Sequence, residues 1–181
     1  MTNAIIWSNT RNGVYVTLHD VDAIVRDGDT ANNVIDSLVE IIQIEQQAKK
    51  PEKNKPFFFS SLCWLVVKRG YGDLRNHLIE EVLEQDLSGY RFLHFCMNSN
   101  GNKKEEKPYN WTLLVLDTEY DEWGHYNSLR PIDNKEDPYL KDAKQIITYV
   151  DNKLSNKRKR GTRKFANLVS VKDSLQQCPT S

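Results

Sequence analysis

Three stretches hold the residues whose types and spacing suit chemistry. They are Tyr109-Asn110-Trp111-Thr112-Leu113-Leu114-Val115-Leu116-Asp117, Gly124-His125-Tyr126-Asn127-Ser128-Leu129 and the late Ser174-Leu175-Gln176-Gln177. Cysteine thiols would supply a nucleophile. Cys63, Cys96 and Cys178 are odd in number and far apart, which fits neither a disulfide framework nor a zinc knuckle, and they read as reduced thiols. Cys63 and Cys96 lie inside apolar runs, where a thiol behaves as a small hydrophobe, so both are assigned to the core. His125 stands two residues before Asn127, so strand alternation puts the two on one face. A strand histidine satisfied by a neighbour is the preferred reading of His125, and a group leaning into a functional cleft is the other. The acidic stretch Asp117 to Glu122 has no nearby ligand pattern for a cation and reads as a hairpin turn. No metal and no cofactor are expected. The run Lys157-Arg158-Lys159-Arg160, with Arg163 and Lys164, reads first as a solvated loop and second as a nuclear-import or acidic-partner patch.

Positioning these groups requires strands and helices, and the pattern supplies both. Val14 to Leu18 is β-branched and aromatic after the Asn12-Gly13 turn, which predicts a short strand. From Thr30, apolar residues recur at Val34, Ile35, Leu38, Ile41, Ile42 and Ile44, predicting a helix with a buried face over 31–47. The charged, proline-punctuated stretch from Lys49 to Pro56 is expected as a solvated loop and not as a domain linker, because too little chain precedes it, and the apolar run Phe57 to Val67 after it as core. A second helix fits Asp73 to Gln85, with Leu74, Leu78, Val82 and Leu83 on one side. Three strands come next at Tyr90 to Met97, Trp111 to Leu116 and Glu122 to Tyr126, suggesting an antiparallel sheet. Asp137-Pro138 is an N-cap with proline at the first helical position, opening a third helix over 138–152. Phe165 to Val171 suits a last short strand, and strands and helices are partly segregated, so the class is α+β.

The chain has 181 residues, 25 Lys+Arg against 25 Asp+Glu, and 39% hydrophobic content, enough for one domain with a core. Collagen, disulfide scaffolds and wholly disordered chains are excluded. Zero net charge argues against a nucleic-acid-coating domain. The longest strongly apolar run, Phe57 to Val67, is too short to cross a bilayer of about 30 Å as a helix. The polar Asn3, Ser8, Asn9 and Asn12 interrupt any secretory signal near the start, so a soluble protein of the cytoplasm or nucleus is expected.

Taken in order, the three chemical stretches resemble the ubiquitin-like-protein-specific cysteine proteases, the papain-like family that cleaves SUMO and Nedd-type modifiers, and most closely its deneddylase branch. In that family a His-Trp pair begins a strand, the next strand carries Tyr-Asp-Ser, and Gln-Gln precedes an Asp-Cys-Gly nucleophile motif by about half a dozen residues. Thr30-Ala31-Asn32-Asn33-Val34-Ile35 is similar to the family's Trp-Leu-Asn-Asp helix start, and Phe58-Phe59-Ser60-Ser61 to its Phe-Phe-Asn-Ser segment. The resemblance spans nearly the whole chain. It implies a papain-like fold, a central antiparallel or mixed sheet flanked by helices with its C-terminal part missing, in a single incomplete domain over residues 1–181. It also implies a ubiquitin-like modifier as partner. Trp111 is implied either as a wall of the tunnel for the modifier's Gly-Gly tail or as a packed sheet aromatic, and Asn32 and Asn33 as tail-binding positions. Gln176 and Gln177 correspond to the oxyanion donor.

Such chemistry needs a thiolate, an imidazole base, a carboxylate to orient it and the oxyanion donor. Here the family's His position is Asn110, its Asp position is Asn127, and the nucleophile motif would begin beyond Ser181. Cys178 comes directly after Gln177, the wrong spacing for a nucleophile. An amide has no accessible basic lone pair. The resemblance therefore implies a cysteine-peptidase family member that does not cleave. A pseudoprotease binding a modifier without turnover and a truncated product without independent function are the alternatives.

Overall fold

Alternation in two neighbouring strands organises the larger part of this fold. The computed structural model describes residues 4–9, 13–27, 30–48, 55–70, 72–84, 87, 89–99, 110–128, 137–158 and 168–170. The chain forms two compact units, Met1–Glu52 and Lys53–Ser181. Their boundary falls in the stretch from Lys49 to Pro56, contrary to the expectation that it does not divide the chain, and the end of that stretch, Lys55 and Pro56, is already strand.

In the first unit, β1 (Ile5–Asn9) and β2 (Val14–Thr17) pair antiparallel, and α1 (Leu18–Asp27) and α2 (Asn32–Ala48) come after them. The predicted strand is present, but Leu18 starts α1, which the pattern did not suggest. Its start is a capping box: Asp20 N donates to Thr17 Oγ1 at 3.3 Å, while Thr17 N donates to Asp20 Oδ2 at 2.8 Å. The helix predicted over 31–47 is α2, yet only part of its expected buried face is covered, with Val34, Ile35 and Ile42 half-buried. Leu38, Ile41 and Ile44 are exposed, whereas Val39 and Ser37 are buried. Six apolar positions spread over more than one stripe, and periodicity does not say which part of such an arc a two-stranded ribbon covers.

The second unit is a five-stranded mixed sheet with helices, an α+β arrangement. The strands are β3 (Lys55–Phe59), β4 (Tyr90–Ser99), β5 (Asn110–Asp117), β6 (Glu122–Asn127) and β7 (Leu168–Ser170), in that spatial order. The three central strands are antiparallel, as predicted; β3 and β7 pair parallel to their neighbours. The apolar run splits into β3 and α3 (Cys63–Arg69), with Phe59, Cys63, Trp64 and Val66 all buried. The second predicted helix is α4 (Gly72–Arg75), a π-helical turn (Asn76–Glu80) and α5 (Glu81–Glu84). A π turn takes in more residues than an α turn and so rotates the next side chains about the helix axis. Ile79 and Leu83 are accordingly buried, while Leu78 and Val82 are only partly so.

The third predicted helix is α6 (Leu140–Arg158), which buries Ala143, Ile146, Ile147, Val150 and Leu154. Asp137 caps it, its Oδ1 accepting from Tyr139 N at 2.9 Å. The helix runs past the predicted end, so the basic stretch begins inside it and not in a loop; Lys and Arg are good helix formers and suit a C-terminal turn. Residues 159–164 lie outside those described. Among the described residues no helix is long and apolar enough to cross a membrane.

One sheet face is the core. In register, Leu93–Leu116–Trp123, Phe95–Leu114–His125 and Met97–Thr112–Asn127 lie across β4, β5 and β6. Phe59 stacks on Phe95 at 4.3 Å between ring centroids, and the Phe95 ring lies 5.8 Å from that of Trp123. The face is apolar at the Trp123 end and polar at the Asn127 end.

Candidate functional site

The polar end of this face is where the sequence placed its chemistry. Asn110 and Asn127 are both buried and point to the same side. Thr112 pairs with Asn127 across the ladder, so Asn110, two residues earlier on β5, is the diagonal neighbour. Asn110 Nδ2 donates to Asn127 Oδ1 at 2.8 Å. The alternation that brings two polar side chains together also sets them beside a third residue. Asn127 Nδ2 donates to Asp137 Oδ2 at 3.0 Å. Asp137, read from the sequence only as a helix cap, thus belongs to the site.

His125 shares that face, as alternation requires. Its side chain is fully buried, and Nδ1 lies 3.6 Å from Asp137 Oδ2, beyond a normal hydrogen bond. Neither ring nitrogen has a hydrogen-bond partner among the described residues, so the neighbour faces this histidine without bonding it. Burial pushes the imidazole below its ordinary value near 6.5, and the Asp137 charge opposes that shift. His94 on β4, stacked on Phe58 at 4.5 Å, is also held below its ordinary value, chiefly by burial. Both rings therefore take up a proton less readily in the fold than in the unfolded chain. Below about pH 6.5 the unfolded chain then binds more protons, so stability is full above that value and falls as pH falls. The urea midpoint is expected to be lower at about pH 5.5 than at about pH 7.5, with a flatter dependence after His125→Gln. A midpoint that rises on acidification would contradict the downward shift of these rings.

Of the other expected site residues, Trp111 lies on the same strand as Asn110. Trp111 is half-buried, and alternation places it on the face of β5 opposite Asn110. Asn32 and Asn33 open α2 in the first unit, where Asn33 Nδ2 donates to Tyr15 O at 3.1 Å and to Asp20 Oδ2 at 3.0 Å. Its amide nitrogen is committed to holding β2, α1 and α2 together. Gln176, Gln177 and Cys178 lie outside the described residues. Cys63 lies in the core as expected, its Sγ 3.6 Å from Leu78 O, whereas Cys96 is half-buried and outside the core cluster. The acidic stretch is a turn, with Asp117 Oδ1 accepting from Glu119 N at 3.0 Å and Asp121 at φ 59°. Among the described residues no three His, Cys, Asp or Glu side chains gather where they could hold a metal ion.

No protein-family model matches the chain, and no curated protein matches it in sequence. Solved structures do match in fold. The C-terminal Ulp1 protease domain in complex with Smt3, the yeast orthologue of SUMO, superposes with a TM-score of 0.66 at 14% identity, over 99% of this chain and 70% of that one. The SUMO protease Ulp1 with its catalytic cysteine oxidised to a sulfenic acid gives 0.65 at 13% identity, over 98% and 70%. A de-sumoylating protease gives 0.63 at 14%, over 96% and 65%. The chain has the fold of ubiquitin-like-protein proteases.

Proposed function

We propose that this chain is a non-hydrolysing domain of the SUMO- and Nedd-protease type that binds a ubiquitin-like modifier without cleaving it. The observation that carries the reading is the buried hydrogen bond between Asn110 and Asn127, at the positions matched to the family's His and Asp. Two amides supply no base, whatever residue offers a thiol. The Ulp1-like fold supports the partner class, because one of its neighbours holds Smt3.

Recognition of a folded modifier draws on about 800 Å² per partner, far more than a triad occupies, so affinity can outlast chemistry. The grip on the tail is weakened: Thr30 stands where the family has tryptophan, and Asn33, matched to an acidic position, spends its amide inside its own unit. Binding is expected in the micromolar range or weaker, with a Nedd-type modifier preferred on the motif resemblance and SUMO the alternative on the fold. Calorimetry with each free modifier checks this. A chain that melts cooperatively yet gives no heat with either overturns the binding reading.

A further inference from the structure

We propose that Asp137 is a positioning residue that sets the direction of the asparagine pair, in addition to capping α6. A neutral amide can face its partner either way round, since one end donates and the other accepts. A carboxylate only accepts. Asp137 Oδ2 therefore obliges Asn127 to present Nδ2, at 3.0 Å, which turns Asn127 Oδ1 toward β5. Asn110 must then present its own Nδ2, as it does at 2.8 Å, and keeps Oδ1 as the group not spent on the pair. One carboxylate thus fixes two amides in series, and the position matched to a base holds an oriented, non-basic acceptor. All three residues are buried, with 2% exposure for Asn127, 6% for Asn110 and 7% for Asp137, so water does not offer an easy alternative partner.

The two jobs of Asp137 use different oxygens, which separates them experimentally. Oδ1 takes the Tyr139 amide and Oδ2 takes Asn127. Serine is as good a cap as aspartate but has no second oxygen to hold the amide. In Asp137→Ser the α6 amides should keep their exchange protection, while the side-chain amide protons of Asn127 exchange about tenfold faster or more, the loss of one charge-assisted hydrogen bond. Unchanged exchange at Asn127 would overturn the proposal.

A second readout addresses direction itself. Asn110→Asp sets a carboxylate against Asn127 Oδ1, acceptor to acceptor, and Asn127 cannot turn while Asp137 holds it. Its loss of urea midpoint should shrink by half or more in the Asp137→Ser background, where the carboxylate no longer constrains the amide. Additive effects of the two substitutions would show that Asp137 does not set the direction. Both readouts use the free chain, so their failure is distinct from a failure to bind modifier.

Discussion

Incubated with a SUMO- or Nedd-type conjugate, the purified chain is expected to release no modifier above the uncatalysed background, and a modifier carrying a thiol-reactive C-terminal group is expected to form no adduct. Cleavage of an isopeptide bond by a cysteine needs a group that takes the thiol proton and returns it to the leaving amine. Asn110 has an amide there, and its nitrogen is already donating to Asn127. Triad members act as a unit, and losing them costs on the order of 10⁶ in rate. The surroundings suit an amide at position 127. Asn127 Nδ2 sits 3.0 Å from Asp137 Oδ2, so an aspartate at 127 would set two carboxylates against each other in a buried site. An asparagine there turns a repulsion into a hydrogen bond. Release of free modifier, or an adduct on Cys63, Cys96 or Cys178, would overturn this account.

The meeting of Asn110 and Asn127 was legible because two short-range rules sufficed for it. Strand patterning located β5 and β6, and period-two alternation fixed which residues share a face. Asp137 was only half legible. Asp-Pro before an apolar helix announces a cap, but that one of its oxygens reaches the sheet depends on how α6 lies across β6, which no local pattern encodes. The same reason hid the buried face of α2: Leu38, Ile41 and Ile44 have the right spacing, yet burial is decided by the neighbour and not by the helix. Ile79 escaped the predicted apolar face because a π turn breaks the 3.6-residue count on which that face was read. The start of α1 was within reach, since Thr17-Leu18-His19-Asp20 has the capping-box spacing that its hydrogen bonds use.

Trp123→Ala is expected to be the most destabilising single change in the sheet, at about 3–5 kcal/mol. Trp123 is the largest fully buried side chain, with 0% exposure. Its ring fills the apolar end of the core face against Phe95, and its Nε1 donates to Asp151 Oδ1 on α6 at 3.2 Å. Alanine removes both the aromatic packing and that link from strand to helix. Domains are stable by only about 5–15 kcal/mol, so the urea midpoint should drop by roughly 1–3 M. Trp123→Phe keeps a ring and loses the N–H, and should cost about 1–2 kcal/mol. Tyr126 lies on the same strand but the other face, with 37% exposure, and Tyr126→Ala should cost under about 1 kcal/mol. The contrast tests more than stability. His125 and Asn127 share the parity of Trp123, so equal losses from Trp123→Ala and Tyr126→Ala would mean that the face is misassigned and the asparagine site with it.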